Sequence, residues 1–459
     1  MSSSGAVRAA LRGAGRSSAP RGRRLLPISF LSLFLLPCAA ILPPGMPLGD
    51  PVCRAGMFAT GTAQLAQDPA VIPFRLDGHK IMVAVTINDS PPPAQLVLDT
   101  GGLTMVDDAV AARLGLEEGA PVPTMGSMGR SWMAKKAVTL ELGPARIEDF
   151  RLPVLTFDFV EETGRSIDGL LGADFLRHFT VEIDYARERL YLTQRALADL
   201  CIAPPADPAA PFAWTATAPE AARVSFKPYF PIGAPLVDCI VNGDEVVSGM
   251  IDTGADTPLV FPLAMATQGA IVDSSALIAS DGVIAEWPLG TLERNYLARL
   301  PSFTFGDRTV ERMPALFANV MCVLLGKRML DPFRIALDFP NREAVIVPRP
   351  EAEIDTRLVA SGFAWERDAE GKVRVRGVWQ GSPAAQAGLR PGDELVRLNG
   401  RVLDELETQS LYAFLHGALQ DDGPERIELV VRRGTDPQQT FELTVHKAEL
   451  VPYPPAHGG

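Results

Sequence analysis

The chain of 459 residues has five cysteines, five histidines and a modest aromatic share. The histidines, at 79, 178, 416, 446 and 457, fall at no metal-ligand spacing, and the cysteine spacings are not those of a zinc site. No Gly-x-Ser-x-Gly or Cys-His pattern marks a nucleophile, and no glycine-rich phosphate loop is present. Beyond residue 24 there is no long run of one charge, and the formal net charge is −12. A phosphate-binding face needs clustered Lys and Arg, so a nucleic-acid partner is not expected. Neither a metal nor an organic cofactor is expected. The apolar fraction of 47% is enough for packed cores, and the length allows two or three domains.

The N-terminus has a character of its own. Its first 24 residues contain six Arg and no acid, and an apolar stretch, Leu25 to Leu42, follows directly. With small residues at Cys38-Ala39-Ala40, this segment (1–42) reads as a secretory signal or a retained membrane anchor, and Pro27 and Pro37 favour the first. The chain is therefore expected to be exported, periplasmic or secreted, with membrane association if the segment is kept. Four cysteines would remain after cleavage: Cys53, Cys201, Cys239 and Cys322. Export permits disulfides, but four cysteines allow three pairings, and buried free thiols are an equal alternative.

An internal repeat organises the rest. Val83 to Asn88 and Val237 to Asn242 are apolar, strand-like runs that end at Asn. Each leads to Asp-Thr-Gly, at Asp99-Thr100-Gly101 and Asp252-Thr253-Gly254. Leu-Leu-Gly follows, ending at Gly172 and Gly326, and then Ile183-Asp184-Tyr185 and Leu337-Asp338-Phe339. The four landmarks Asn88, Asp99, Gly172 and Asp184 recur at offsets of 154, 153, 154 and 154. Such a register implies a duplicated domain. Short Val/Ile/Leu/Thr-rich runs between Gly, Pro and Asp turns make both copies mostly β, with a short helix after each Leu-Leu-Gly, near Asp174–His178 and Lys327–Leu330. The expected plan is an irregular linker at 43–70, a β domain at 71–197, an Ala/Pro-rich linker at 198–223 and a second β domain at 224–350. A third module of mixed α and β (355–447) and a tail (448–459) complete it.

One Asp-Thr-Gly would mean little, since a chain this long carries one by composition roughly one time in ten. Two in register, each behind an apolar strand, carry a chemical logic. Asp at a strand-to-turn junction projects a carboxylate into a cleft. Thr can turn its hydroxyl inward and tie two such loops together, and Gly allows a close approach that a Cβ would block. Two facing carboxylates cannot both ionise easily, so the pair holds one proton. One then activates water while the other, protonated, polarises a carbonyl.

Each repeat resembles the retropepsin-like aspartic peptidases, in which Asp-Thr-Gly precedes a hydrophobic-hydrophobic-Gly strand by about seventy residues. Leu170-Leu171-Gly172-Ala173-Asp174-Phe175-Leu176 is similar to bacterial members. In that family the site lies between two such domains, usually of a homodimer. The resemblance therefore implies a mainly β, bilobal pseudo-dimer within one chain, with Asp99 opposite Asp252 as the catalytic pair and Thr100, Gly101, Thr253 and Gly254 supporting the turns. Two departures stand out. Gly102 occupies the place of the usual Ala or Ser, and the second Leu-Leu-Gly lacks the following Asp-Phe and reads Lys327-Arg328. Gly-rich hairpins at Thr124–Trp132 and Ile278–Trp287 are candidate flaps, with Met125, Met128 and Trp132 as candidate substrate contacts.

The run Gly381-Ser382-Pro383-Ala384-Ala385-Gln386-Ala387-Gly388-Leu389-Arg390-Pro391-Gly392-Asp393, followed by Asn399-Gly400, is similar to bacterial PDZ domains over about 90 residues. A helix is expected near Thr408–Leu419 and strands at Ile427–Arg432 and Thr440–Val445. The resemblance implies a groove that takes peptide C-termini beside Ser361, Gly362 and Phe363 and the helix near Leu411–Leu419. The reading that results is an exported aspartic-type endopeptidase acting on proteins or peptides, with a PDZ module that recruits substrate. Its alternative is a catalytically silent peptide-binding scaffold that keeps the fold.

Overall fold

The computed structural model describes residues 61–451 except 79, 123–130, 156–166, 201–206, 208–209, 230–231, 268–270, 285–293, 350–351, 369, 420–422 and 435–438. All of them belong to one compact unit, Asp50–Gly459. The fold is mainly β, built as two β lobes and a third, smaller module.

Each lobe is organised around the strand that leads to Asp-Thr-Gly. In the first, Ser90–Asp99 lies between Lys80–Ile87, antiparallel, and Gly169–Gly172, parallel. Leu96, Val97 and Leu98 are fully covered there, which is why the approach to Asp99 is apolar without alternation. In the second, Glu245–Ile251 lies between Ala234–Val241, antiparallel, and Val323–Leu325, parallel. The Leu-Leu-Gly strand also pairs antiparallel with Met105–Asp107 in the first lobe and Leu259–Pro262 in the second. Both lobes thus share one strand plan. The short helices run Ala173–Leu176 and Lys327–Leu330.

The lobes join through a six-stranded sheet. Its central pair is Thr180–Asp184 with Phe333–Asp338, flanked by Arg189–Thr193 and Ala70–Pro73 on one side and Glu343–Pro348 and Arg223–Ser225 on the other. Glu182 pairs with Ala336, which stands 154 positions later. Equivalent positions that face each other across an antiparallel pair require a local twofold axis between them. One continuous apolar core, including Leu98, Phe175 and Phe179 from the first lobe and Ile251, Leu325 and Phe333 from the second, fills both lobes.

Three stretches differ from the expected plan. The segment 43–70, read as irregular, contributes the strand Thr62–Leu65, paired with Ala145–Phe150, and opens the strand Ala70–Pro73. The Ala/Pro-rich 198–223 is no slack linker over its second half. Phe212, Ala213 and Thr215 are buried, and the Phe212 N–H and Trp214 Nε1 both donate to the Glu182 carboxylate. This layer covers the back of the joining sheet through Tyr191, Ala336 and Val345. Finally, Ala448–Glu449 pairs with Val359–Ala360, and Leu450 and Val451 join the main core, so the tail from 448 is anchored at its start.

The third module has its own core, in which Val375, Leu389, Leu395 and Ile427 meet Leu411 and Leu415 of the helix Thr408–Leu419. The turn motif explains itself locally. Ser382 caps the helix Pro383–Gln386 with Pro at its first position. Buried Asp393 accepts from the Arg390 N–H and from both Nε and Nη2 of Arg433. The module is also built into the second lobe. Ile278–Gly282 pairs with its strand Val373–Trp379, so one sheet runs from lobe to module. Gly377 permits this, because a Cβ there would lie 2.5 Å from the Val283 carbonyl oxygen. Arg299 of the lobe, almost wholly buried, donates to the Glu449 carboxylate and to the carbonyls of Val451 and Thr356.

Candidate active site

The two Asp-Thr-Gly turns meet. A Cβ built on Gly101 would lie 2.6 Å from Cγ of Asp252, and one on Gly254 would lie 2.7 Å from Cγ of Asp99. Each glycine is therefore the gap through which the opposite carboxylate approaches. Behind them the threonines interlock. The Thr100 N–H donates to Thr253 Oγ1 at 3.0 Å, and the Thr253 N–H to Thr100 Oγ1 at 3.1 Å. The hydroxyls donate onward, Thr100 to the Ile251 carbonyl at 2.6 Å and Thr253 to the Leu98 carbonyl at 2.7 Å. Both threonines are buried, so these four bonds replace water that cannot reach them.

Each carboxylate is also held by its own turn. Asp99 Oδ1 accepts from the Gly101 N–H, and Asp252 Oδ1 from the N–H groups of Gly254 and Ala255. The two carboxyl groups lie close enough to perturb each other's protonation. Removal from water pushes the Asp99 carboxyl up, against hydrogen bonds from Gly101, Asp252 and Gly102 and the positive charge of Lys80. Asp252 is pushed well above the ordinary range, by burial first and then by the charge of Asp99. The pair is suited to carrying one proton between two carboxylates.

The Leu-Leu-Gly strands brace the turns. The N–H of Ala173 donates to the Gly102 carbonyl, and that of Lys327 to the Ala255 carbonyl. A Cβ on Gly172 or Gly326 would lie 2.4 Å from the Gly102 oxygen or 1.9 Å from the Thr257 oxygen, which accounts for both glycines. The departures from the repeat are coupled. In the first lobe buried Asp174 accepts from the Thr104 N–H and hydroxyl, and burial pushes its carboxyl up to about 6. In the second lobe Thr257 and Arg328 stand at these positions, so the buried Thr257 hydroxyl has no carboxylate partner, and the Gly326 N–H goes to the Pro258 carbonyl instead. Lys327 is buried against the ring of Tyr185 from the first lobe and pairs with Asp331. Gly102 fits for a steric reason, since a Cβ there would come within 2.3 Å of Asp99 Oδ2.

Two residues at the site carried no signal in the motifs. Lys80 Nζ reaches Asp256 Oδ2 at 2.7 Å, joining the lobes across 176 positions beside the two turns. The repeat offset would have flagged Lys80 as asymmetric, because Ala234 stands 154 positions later. Other expected contacts do not lie at the site. Trp132 is buried in the first lobe and donates to Asp108 Oδ1, so it is packing rather than a substrate contact. Met125 and Met128 lie outside the described residues, as do most of the first candidate flap and the end of the second, 285–287. The described part of the second, Ile278–Gly282, is paired to the third module. Cys239 and Cys322 are free, with burial pushing both thiols up to about 12, and Cys53 and Cys201 lie outside the described residues. Among the described residues no cluster of His, Cys, Asp or Glu is fit to hold a metal, and no helix is long and apolar enough to cross a membrane.

Ser361, Gly362 and Phe363 form the turn into the strand Phe363–Arg367. That strand pairs on one side with Val373–Trp379, and the rings of Trp365 and Tyr412 span from it to the helix Thr408–Leu419 with centroids 4.6 Å apart. Next to the turn an apolar cavity of about 250 Å³ remains open.

A bilobal β fold whose two Asp-Thr-Gly turns face each other is the architecture of an aspartic protease. Comparison with known proteins places the parts accordingly: residues 83–175 match the family model "Aspartyl protease" and residues 374–433 the model "PDZ domain", so the chain carries an aspartyl protease domain and a PDZ domain. A search of the curated proteins finds no match. Solved structures similar to this chain include the crystal structure of Basic 7S globulin from soybean, at 10% identity and a TM-score of 0.32, over 60% of this chain and 94% of that one. A likeness that low has no bearing on function.

Proposed function

We propose that this chain is an aspartic-type endopeptidase that hydrolyses peptide bonds with Asp99 and Asp252 sharing one proton. The observation that carries the reading is the approach of each carboxylate into the gap left by the other turn's glycine. Burial raises both carboxyls and each is coupled to the other, so the pair holds its proton as a unit. The ionised carboxylate of the pair takes a proton from a water molecule as that water attacks the scissile carbonyl, while the protonated one donates to the carbonyl oxygen. Collapse of the tetrahedral diol returns a proton to the leaving amine. The PDZ domain takes peptide ends and presents substrate, the two lobes descend from one duplicated domain, and the N-terminal segment directs export to the periplasm or beyond the cell.

A peptide whose scissile amide is replaced by a secondary alcohol imitates the diol and tests the reading. It is expected to inhibit cleavage of an unfolded protein at least about a hundredfold more tightly than the parent amide binds. Equal affinity of alcohol and amide, or no cleavage at any pH between 3 and 8, would favour the silent-scaffold alternative.

A further inference from the structure

The cavity beside Ser361–Phe363 is not a property of the PDZ domain alone. On one side it is lined by Gly362, Phe363 and Leu419 of that domain, and on the other by Leu259, Ile284 and Leu297 of the second protease lobe. Thr257, five residues past Asp252, also reaches it. The strand Phe363–Arg367 has a strand neighbour on one side only among the described residues. A peptide that adds to its other edge in the antiparallel sense brings its C-terminus to the turn at 361–363, at the mouth of this cavity.

We propose that the cavity is a composite site for the last side chain of a peptide with a free C-terminal carboxylate, and that the second protease lobe supplies its specificity wall. Size selects the side chain. A dry apolar cavity of about 150 Å³ already holds a benzene ring. About 250 Å³ therefore takes a phenylalanine or leucine side chain, and a terminal Ala or Gly leaves most of the apolar lining without partners. Because one wall belongs to the lobe that bears Asp252, filling the cavity ties the peptide to the protease body as well as to its carrier domain. The inference rests on the peptide-binding part of the proposed function and is independent of the catalytic part.

The test uses the full chain carrying Asp252→Asn, so that the probe survives, and a fluorescein-labelled decapeptide ending in Phe, read by anisotropy. The free acid is expected to bind, and its amide and the Ala-ended peptide to bind at least about tenfold more weakly. Ile284→Trp fills the cavity from the lobe side, and Ile284→Ser removes its apolar wall. Each is expected to weaken the Phe-ended peptide at least about tenfold in protein whose thermal unfolding remains cooperative. Unchanged affinity in both variants would overturn the composite site, as would failure of the Phe-ended acid to bind the parent chain. Cleavage by the chain with Asp252 intact is scored separately, so loss of peptide binding with cleavage retained refutes this inference and spares the peptidase.

Discussion

The threonine interlock has a measurable consequence. Thr100→Val keeps the shape of the side chain and removes its hydroxyl, so no cavity confuses the result. Two buried partners lose their bond: the Thr253 N–H, which donates to Thr100 Oγ1 at 3.1 Å, and the Ile251 carbonyl, which accepts from it at 2.6 Å. An orphaned buried polar group costs about 1–3 kcal/mol, so the loss should come to roughly 2–6 kcal/mol. That is a large share of a total stability of about 5–15 kcal/mol. Equilibrium urea unfolding followed by tryptophan fluorescence measures it. Thr253→Val removes the mirrored pair of bonds, to Leu98 and from Thr100, and the double variant should be non-additive by at least about 0.5 kcal/mol because the two hydroxyls share one ring of bonds. In either single variant kcat should fall by about a hundredfold, since displacement of the turns by even 1 Å misplaces the carboxylates. A loss below about 0.5 kcal/mol with full activity would refute the view that this network holds the turns together.

Other expectations follow from particular groups. Lys80 lowers the Asp99 carboxyl, so Lys80→Gln should move the acid limb of the kcat/KM profile toward neutral pH, and an unmoved limb would exclude the lysine from that role. Asp174, raised from 3.8 to about 6 by burial, binds its proton more tightly in the fold than in the unfolded chain. Its contribution is therefore full below the unfolded value and is lost as pH rises through about 6, by on the order of 3 kcal/mol at neutral pH. Asp174→Asn should flatten that fall in a series of melting curves from pH 4 to 8. Arg299→Met leaves the partly buried Glu449 carboxylate without its cation, and urea unfolding should show a loss of about 3 kcal/mol at the junction of PDZ domain and lobe.

Patterns that repeat or act locally were legible without the structure. The offset of 153–154 positions was enough to set Asp99 against Asp252, because equal register in two like domains puts the same turn at their common axis. The helix Thr408–Leu419 and the capped turn at Ser382–Pro383 are local features of their own residues. What escaped depended on partners remote in the chain. Thr62–Leu65 is a strand only because Ala145–Phe150 lies beside it, and residues 212–217 pack because Glu182 accepts their N–H donors. Lys80 owes its place at the site to Asp256, 176 positions away in the chain. The pairing of Ser280 with Trp379, which builds the PDZ domain into the lobe, is likewise a contact that no single motif announces.

The central claim is that Asp99 and Asp252 act as one catalytic unit. Its most direct test is the rate of cleavage of an unfolded protein at mildly acid pH by the parent chain and by Asp99→Asn and Asp252→Asn separately, with folding checked by circular dichroism. Each single substitution is expected to lower kcat by at least about a hundredfold, and by similar amounts, because neither carboxylate can be both base and proton donor. Cleavage that persists undiminished in either variant would contradict it.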